Sequence, residues 1–553
     1  MRRLLTLLPA LLLLPSPPSD PARPPRGRRP PLVLLENRTA LVREETIRVS
    51  VPFPEGQVKG IPALAAEGKP TAWRILELWP DGSTRVARAQ FPLRLPPGGR
   101  INIPLVEGKP LEGPFKPHPW YLKRRPGPFF LLEASLPGDP PLRIPVGEGG
   151  EVLASTPLVR TTRRILEPGK GWSLAVYLSA FSADPLLQAD LVLRWRGEGS
   201  PPPTFRHLDL VEEGLPALLL HPRLSTAGAP LRDREGRLHL PLLVRSAPGP
   251  GQVFRWRVFL LLDDPSAPTL QRGIARRTWQ ARAIRPLDPL CDAGTWLASG
   301  ALTPFGGPAP PPPDWRRRIL RETVFRAGKK PFGRYDLPPL PPGGAGAAKV
   351  PPCDPFWLHA VQTSRGGLLE YLSPGFDAWT GLGAWWARDL FLERIEAWKG
   401  EVRAAGRLSG PAAEGLLART LAEAALVRPG SSKENRTLLA ERLRGLVLPR
   451  LRKGPSWVPP AQAAPFLLGM YAAWRHLKVA EARKACILFL QDLSAKPALP
   501  AAAALPLHLL SLEPTFPETL RKKARTLSAS LLSGLEEAER LWDPRTALVP
   551  IPR

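Results

Sequence analysis

The sequence predicts a multidomain β + α protein: an N-terminal small β-barrel, a central antiparallel β-sandwich and a C-terminal α/α helical array or partial toroid. Three observations carry this expectation. A chain of 553 residues holds roughly three domains at ~100–200 residues each. Its apolar period is strand-like up to about residue 290 and becomes helical beyond Cys353. Between the two regimes lies a proline-rich connector, including Pro308 to Pro313 and Pro338 to Gly346, and such runs favour extended chain.

Taken in order, the chain begins Met1-Arg2-Arg3, continues with an apolar run from Leu4 to Leu14, and then reads Pro15-Ser16-Pro17-Pro18. A charged start and a short apolar stretch are the pattern of a secretory signal peptide, expected over residues 1–22 with an uncleaved anchor as the alternative, since no clean small-x-small pair precedes Ala22; the run is too short for a spanning helix of ~20 residues. Residues 23–31 form a Pro/Arg-rich tether without core-forming side chains. The first domain is expected over 32–146, where β-like runs such as Thr46 to Val51 and Pro128 to Glu133 alternate with Pro and Gly. A small barrel fits, with a sandwich as the alternative. Within it, Pro80-Asp81-Gly82 is a tight-turn signal. Proline presets φ, aspartate bonds its own backbone, and glycine accepts positive φ, which predicts a hairpin between Trp73–Leu78 and Val86–Phe91.

The central domain is expected over 147–290. Trp172, Leu174, Val176 and Leu178 share one face, Leu191, Leu193 and Trp195 face away from Arg194 and Arg196, and Val253 to Leu262 is an apolar run broken by Arg255 and Arg257. Half-buried antiparallel strands read this way. After the connector, residues 291–352, the helical domain occupies 353–553. Its stripes are Trp386, Leu390, Ile395 and Trp398; Leu439, Leu443, Leu446 and Val447; and Leu520, Ala524, Leu527 and Leu531. Pro429-Gly430 and Pro514 punctuate them.

Three motifs in the first domain, Val51-Pro52-Phe53-Pro54-Glu55-Gly56, Trp79-Pro80-Asp81-Gly82-Ser83 and Phe91 through Leu95-Pro96-Pro97-Gly98-Gly99, occur in an order that resembles the N-terminal β-barrel domain of the exo-rhamnogalacturonan lyase-like (PcRGLX/YetA-like) family. The resemblance implies a carbohydrate-active scaffold with a cleft between the sandwich and an α/α toroid, and β-elimination on acidic glycans. Such a lyase needs cations at the uronate carboxylate and proton carriers at the reacting atoms. The stretch from Lys329 to Tyr335 and from Asp354 to Tyr371 stands where that cleft is expected. If Trp357 stacks on a sugar, His359 or Tyr371 would carry the proton and Arg365 would meet the carboxylate, with Arg334 and Tyr335 as further substrate contacts. Arg206-His207, after a proline turn in the central domain, is a second contact candidate, and His118-Pro119-Trp120-Tyr121 with Lys123 to Arg125 is a third loop of this type. The bland alternative for each is a packed aromatic or a solvated basic loop. The family's opening toroid helices carry an Arg-His pair; here the chain offers Arg388-Asp389-Leu390-Phe391. A missing proton carrier costs roughly 10²–10⁴-fold in rate, so a non-catalytic glycan-binding or cell-envelope protein is the second reading.

Net charge is +28. The abundance of Arg, Ala, Leu, Gly and Pro makes genome composition the first explanation, and an acidic polysaccharide is the partner an exported basic chain would attract. No nucleic-acid module, phosphate-binding glycine loop or zinc-protease motif is present. Cys291, Cys353 and Cys486 exclude a disulfide-dense scaffold and a four-thiolate zinc site. Cys291 and Cys353 bracket the connector and are a candidate bridge, whereas Cys486 reads as core. No metal ligands, cofactor or later transmembrane segment is assigned.

Overall fold

The computed structural model describes residues 30–301, 333–336 and 376–540, with short gaps inside these ranges. Residues 1–29, where the sequence leads one to expect a signal and a tether, together with Cys353 and the stretch from Trp357 to Tyr371, therefore lie outside the described residues.

The first strands are β1 (Leu32–Glu36), β2 (Arg43–Pro52), β3 (Leu64–Ala66), β4 (Ala72–Leu78), β5 (Thr84–Leu95) and β6 (Arg100–Glu107). After a short helix α1 (Pro119–Lys123) come β7 (Phe130–Ser135), β8 (Leu142–Val146), β9 (Glu151–Ser155), β10 (Val159–Leu166), β11 (Trp172–Phe181) and β12 (Leu186–Trp195). Then follow β13 (Phe205–Glu212), β14 (Leu218–Leu220), β15 (Leu231–Arg232), β16 (Leu238–Ser246), β17 (Gln252–Leu261), helix α2 (Thr269–Ile284), β18 (Leu290–Cys291) and β19 (Gly333–Asp336).

These strands build four antiparallel sheets. Two belong to the N-terminal part, with orders β18-β1-β6-β3 and β2-β5-β4. A seven-stranded sheet runs β14-β17-β12-β11-β10-β9 with β19 also on β17, and a five-stranded sheet runs β15-β16-β13-β7-β8. The hydrogen-bonded ladders of the N-terminal strands thus form two separate sheets. β7 and β8, which a boundary at residue 146 assigns to the first unit, join the five-stranded sheet instead, β7 pairing with β13 and β8 with β7. The physical reason is visible in their burial: Phe130, Leu132 and Ala134 point into the apolar layer shared by the seven- and five-stranded sheets. Trp172, Leu174, Val176, Leu178, Leu191 and Leu193 fill the same layer, as their alternation predicts.

The predicted hairpin forms between β4 and β5. Gly82 adopts φ 81°, and Asp81 Oδ1 accepts from the Ser83 amide and hydroxyl at 3.0 and 2.6 Å, so each turn residue does what its chemistry suits it for. Register shifts near Glu77 turn that carboxylate inward, where it pairs with Arg85 and accepts from Thr380. This buried link ties the hairpin to the segment that precedes the helices.

The helices are α3 (Trp385–Ala405), α4 (Pro411–Val427), α5 (Ser432–Arg442), α6 (Leu448–Arg452), α7 (Ala463–Leu477), α8 (Ala480–Asp492), α9 (Ala504–Leu512) and α10 (Glu518–Arg540). A π-turn at Leu443–Val447 joins α5 to α6. Their apolar faces share one continuous core with the N-terminal sheets. Cys486 lies fully buried in it, as expected, while Cys291 is buried in β18. α4 and α7 cross at Gly415 and Gly469, where a Cβ on Gly469 would collide with the Gly415 carbonyl. No described helix is long and apolar enough to cross a membrane.

Candidate functional site

The Arg388-Asp389 pair singled out in the sequence sits in the first turn of α3, at the meeting of two sheets. Cross-strand pairing places Arg48 opposite Gln90, Ser50 opposite Arg88, and Arg74 opposite Arg88, so one face of the β2-β5-β4 sheet is polar and basic. On the seven-stranded sheet, pairing aligns Arg163, Tyr177, Asp190 and Arg257 in one row across four strands. α3 covers this row: Trp386, Ala387 and Leu390 pack on Ala175, Tyr177 and Val192.

Two carboxylates organise part of the charge. Asp190 accepts from Arg255 at 2.6 Å and from Arg257 at 2.8 and 2.9 Å, and from the Gln188 amide at 3.1 Å. Burial works to raise its pKa, but Arg257 and Arg255 outweigh burial and hold the carboxyl below its usual range. Asp389 accepts from Arg163 at 2.7 Å, from the Tyr177 hydroxyl at 2.9 Å and from Arg388 at 3.3 Å. Burial first, then the charge of Asp389, pushes the Tyr177 phenol up, so it stays a proton donor.

Three guanidiniums remain. Arg48 donates to the Gln188 amide oxygen at 2.7 Å, Arg88 donates to the Gly383 carbonyl at 2.9 Å, and Arg74 lies on the Trp385 ring. Among the described residues no carboxylate stands within ion-pairing distance of any of them. All three are half-buried. Burial, then the neighbouring Arg388, holds Arg74 down to about 9. Burial, then Arg74 and Arg257, holds Arg88 down to about 9 against the opposing pull of Asp190. Burial, then Arg88, Arg257 and Arg282, likewise lowers Arg48. At pH 7 Arg74 and Arg88 are still charged. They are cations directly opposite one another on adjacent strands, an arrangement that costs stability without an anion between them.

Aromatic faces border the cations. Arg74 and Arg388 both lie over Trp385, at 3.9 and 5.1 Å from its centroid, and over Trp379, at 5.8 and 5.6 Å. Gly383, in the turn before α3, has φ +55°, and a Cβ there would stand 2.8 Å from Arg88 Nη1. Only glycine allows both the turn and the approach of that guanidinium. The arrangement can hold an oxyanion among planar donors while an apolar ring face lies against an aromatic wall.

The other sequence candidates fall elsewhere. Catalytic candidates His359, Arg365 and Tyr371, and the stacking candidate Trp357, lie outside the described residues. Arg334 and Tyr335 are in β19, paired with Phe254 and Val253 of β17, which brings their backbone to the edge beside Arg255. Arg206 is exposed on β13, and His207, half-buried, faces Glu133 Oε1 at 3.6 Å on the five-stranded sheet. Neither belongs to the junction. The His118 loop is an anchor: Trp120 is buried in the sandwich core, and His118 packs edge-on to it and accepts from its backbone amide. Among the described residues no group of His, Cys, Asp and Glu is arranged to hold a metal ion.

Arg48, Arg74, Arg88, Arg163 and Tyr177 were not singled out as site residues from the sequence. A signal existed in the cations set inside apolar strands, Ala87-Arg88-Ala89 and Arg255 with Arg257.

No family model matches the chain, and no curated protein matches it. Solved structures similar over part of it include the following two. One is an alpha-mannosidase from Enterococcus faecalis V583, at 9% identity over 47% of this chain and 46% of that chain, TM-score 0.25. The other is a protein in glycosyl hydrolase family 38 from Enterococcus faecalis, at 9% identity over 48% and 47%, TM-score 0.26. The aligned region spans about half the length of each of these structures, and a likeness this slight assigns neither fold family nor activity.

Proposed function

We propose that this chain is an exported carbohydrate-active protein that holds an acidic glycan at the junction of the two sheets and α3. One observation carries the reading: Arg48, Arg74 and Arg88 face the junction without a carboxylate among the described residues, beside the exposed part of Trp385. A uronate presents the matching pair of features, a carboxylate for guanidinium donors and a C–H ring face for an indole. The motif resemblance in the first domain supports the same ligand class. Calorimetric titration with oligogalacturonate or rhamnogalacturonan fragments tests it. Binding that weakens as salt is added is expected, and no heat at low salt would overturn it.

A second reading, β-elimination on the same glycan, rests on the motif resemblance in the first domain. Tyr177 is not its acid: the phenol is buried beneath α3, donates its proton to Asp389 and is held far above the pKa that proton transfer at neutral pH requires. His359, the sequence candidate for a proton carrier, lies outside the described residues. Absorbance of the unsaturated uronate distinguishes the two readings: its appearance during incubation favours the lyase, and its absence in a sample that binds favours recognition alone.

A further inference from the structure

We infer that an oxyanion lodged among Arg74, Arg88 and Arg388 is the clamp that fastens the first turns of α3 onto the two sheets. This rests on the reading that the junction receives an acidic ligand, and adds what the ligand does to the protein.

The groups that meet here are of one sign. Arg74 and Arg88 belong to the β2-β5-β4 sheet and oppose one another across β4 and β5. Arg388 rides on α3, and its guanidinium lies over the same Trp385 and Trp379 rings as that of Arg74. Arg88 reaches the Gly383 carbonyl immediately before the helix, and the N-terminal end of a helix adds a positive partial charge of its own. Asp389, the carboxylate of that turn, is already engaged by Arg163, Tyr177 and Arg388. Docking of α3 therefore brings cations from both sides together, held by the apolar contact of Trp386, Ala387 and Leu390 with Ala175, Tyr177 and Val192 and by the pairing of Asp389 with Arg163 and Tyr177 and of Glu393 with Arg194. An oxyanion bound to both sides converts that repulsion into a bridge. It binds the docked state better than the undocked state, and so shifts the equilibrium toward docking.

Such an anion has two sources, the carboxylate of a glycan and a free inorganic oxyanion, and both present the same chemistry to the guanidiniums. Hydrogen exchange of the full chain separates them, with sodium sulfate, oligogalacturonate, and sodium chloride at matched ionic strength as the three additions. Amides in the first turns of α3 should slow in proportion to occupancy, about tenfold at ten times the dissociation constant, while amides of α7 stay unchanged and chloride has no effect. The Arg74→Gln/Arg88→Gln variant, which also loses the contacts of these side chains with Gly383 and Trp385, should show no slowing of α3 on addition of either anion. Binding of either anion with no change in α3 overturns the clamp and leaves the glycan reading standing. Slowing by sulfate without binding of oligogalacturonate keeps the clamp and removes the glycan. Failure of both to bind overturns both.

Discussion

The Arg74 guanidinium lies 3.9 Å from the centroid of the Trp385 ring, joining a cation on β4 to an aromatic face at the start of α3. The contact leaves Arg74 without a carboxylate partner among the described residues, and thus available to a ligand. Arg74→Gln is expected to weaken binding of oligogalacturonate by about tenfold or more, the loss of one charge-assisted hydrogen bond. Trp385→Ala should weaken it independently of salt, because it removes a stacking face and no charge. Calorimetry at low and high salt separates the two effects.

Asp389 gathers Arg163, Tyr177 and Arg388 on the face of the seven-stranded sheet that α3 covers. Removing this acceptor leaves partly buried donors unsatisfied, so Asp389→Ala should destabilise the fold by about 1–3 kcal/mol. Tyr177→Phe removes one hydroxyl and should cost about 1 kcal/mol. Urea unfolding of the two single variants and their combination would show coupling, since both act on one hydrogen bond.

The crossing of α4 and α7 has room for two hydrogens and no more. Gly469→Ala should lower stability by about 1–3 kcal/mol or more, the usual cost of overpacking, because the collision is with backbone that cannot rotate aside. Gly430→Ala, where nothing stands within 4 Å of the added atom, should be close to neutral in the same thermal melt.

His476 lies buried on α7 against Trp79, and its Nδ1 has no hydrogen-bond partner among the described residues. Burial, then Arg85, Arg475 and Lys478, lowers its pKa well below the ordinary value. The unfolded chain takes up this proton near pH ~6.5 and the folded chain resists it, so the contribution is fully present above that pH and is lost as pH falls below it. Denaturant unfolding at neutral pH and at mildly acidic pH should show wild type losing more stability than His476→Phe over that interval.

Local chemistry made much of the architecture legible. The hairpin around Pro80-Asp81-Gly82, the inward faces of β11 and β12, and the stripe from Leu520 to Leu527 all follow from period and turn residues, and each has the expected burial. The stripe on α3 divides: Trp386 and Leu390 meet the seven-stranded sheet, while Ile395 joins the helical core. Period alone shows that a face is buried, and not that it bridges two partners. The junction was less legible for a similar reason. Arg48, Arg74, Arg88, Arg163 and Arg257 come from five strands in two sheets, and only long-range pairing brings them to one place. Arg388-Asp389 stands out in the sequence as a departure from a motif, which marks the position without naming its neighbours.

β18 hydrogen-bonds to β1 through Cys291 and Leu290, opposite Val33 and Leu34. The opening sheet is thus closed by a strand made long after it. Domains tend to fold in order as a chain emerges during synthesis, yet here the outer backbone of β1 stays uncovered until residue 291 has left the ribosome. A nascent chain stalled earlier would offer that edge to a chaperone, and a library of truncations should yield soluble protein only from lengths that include it.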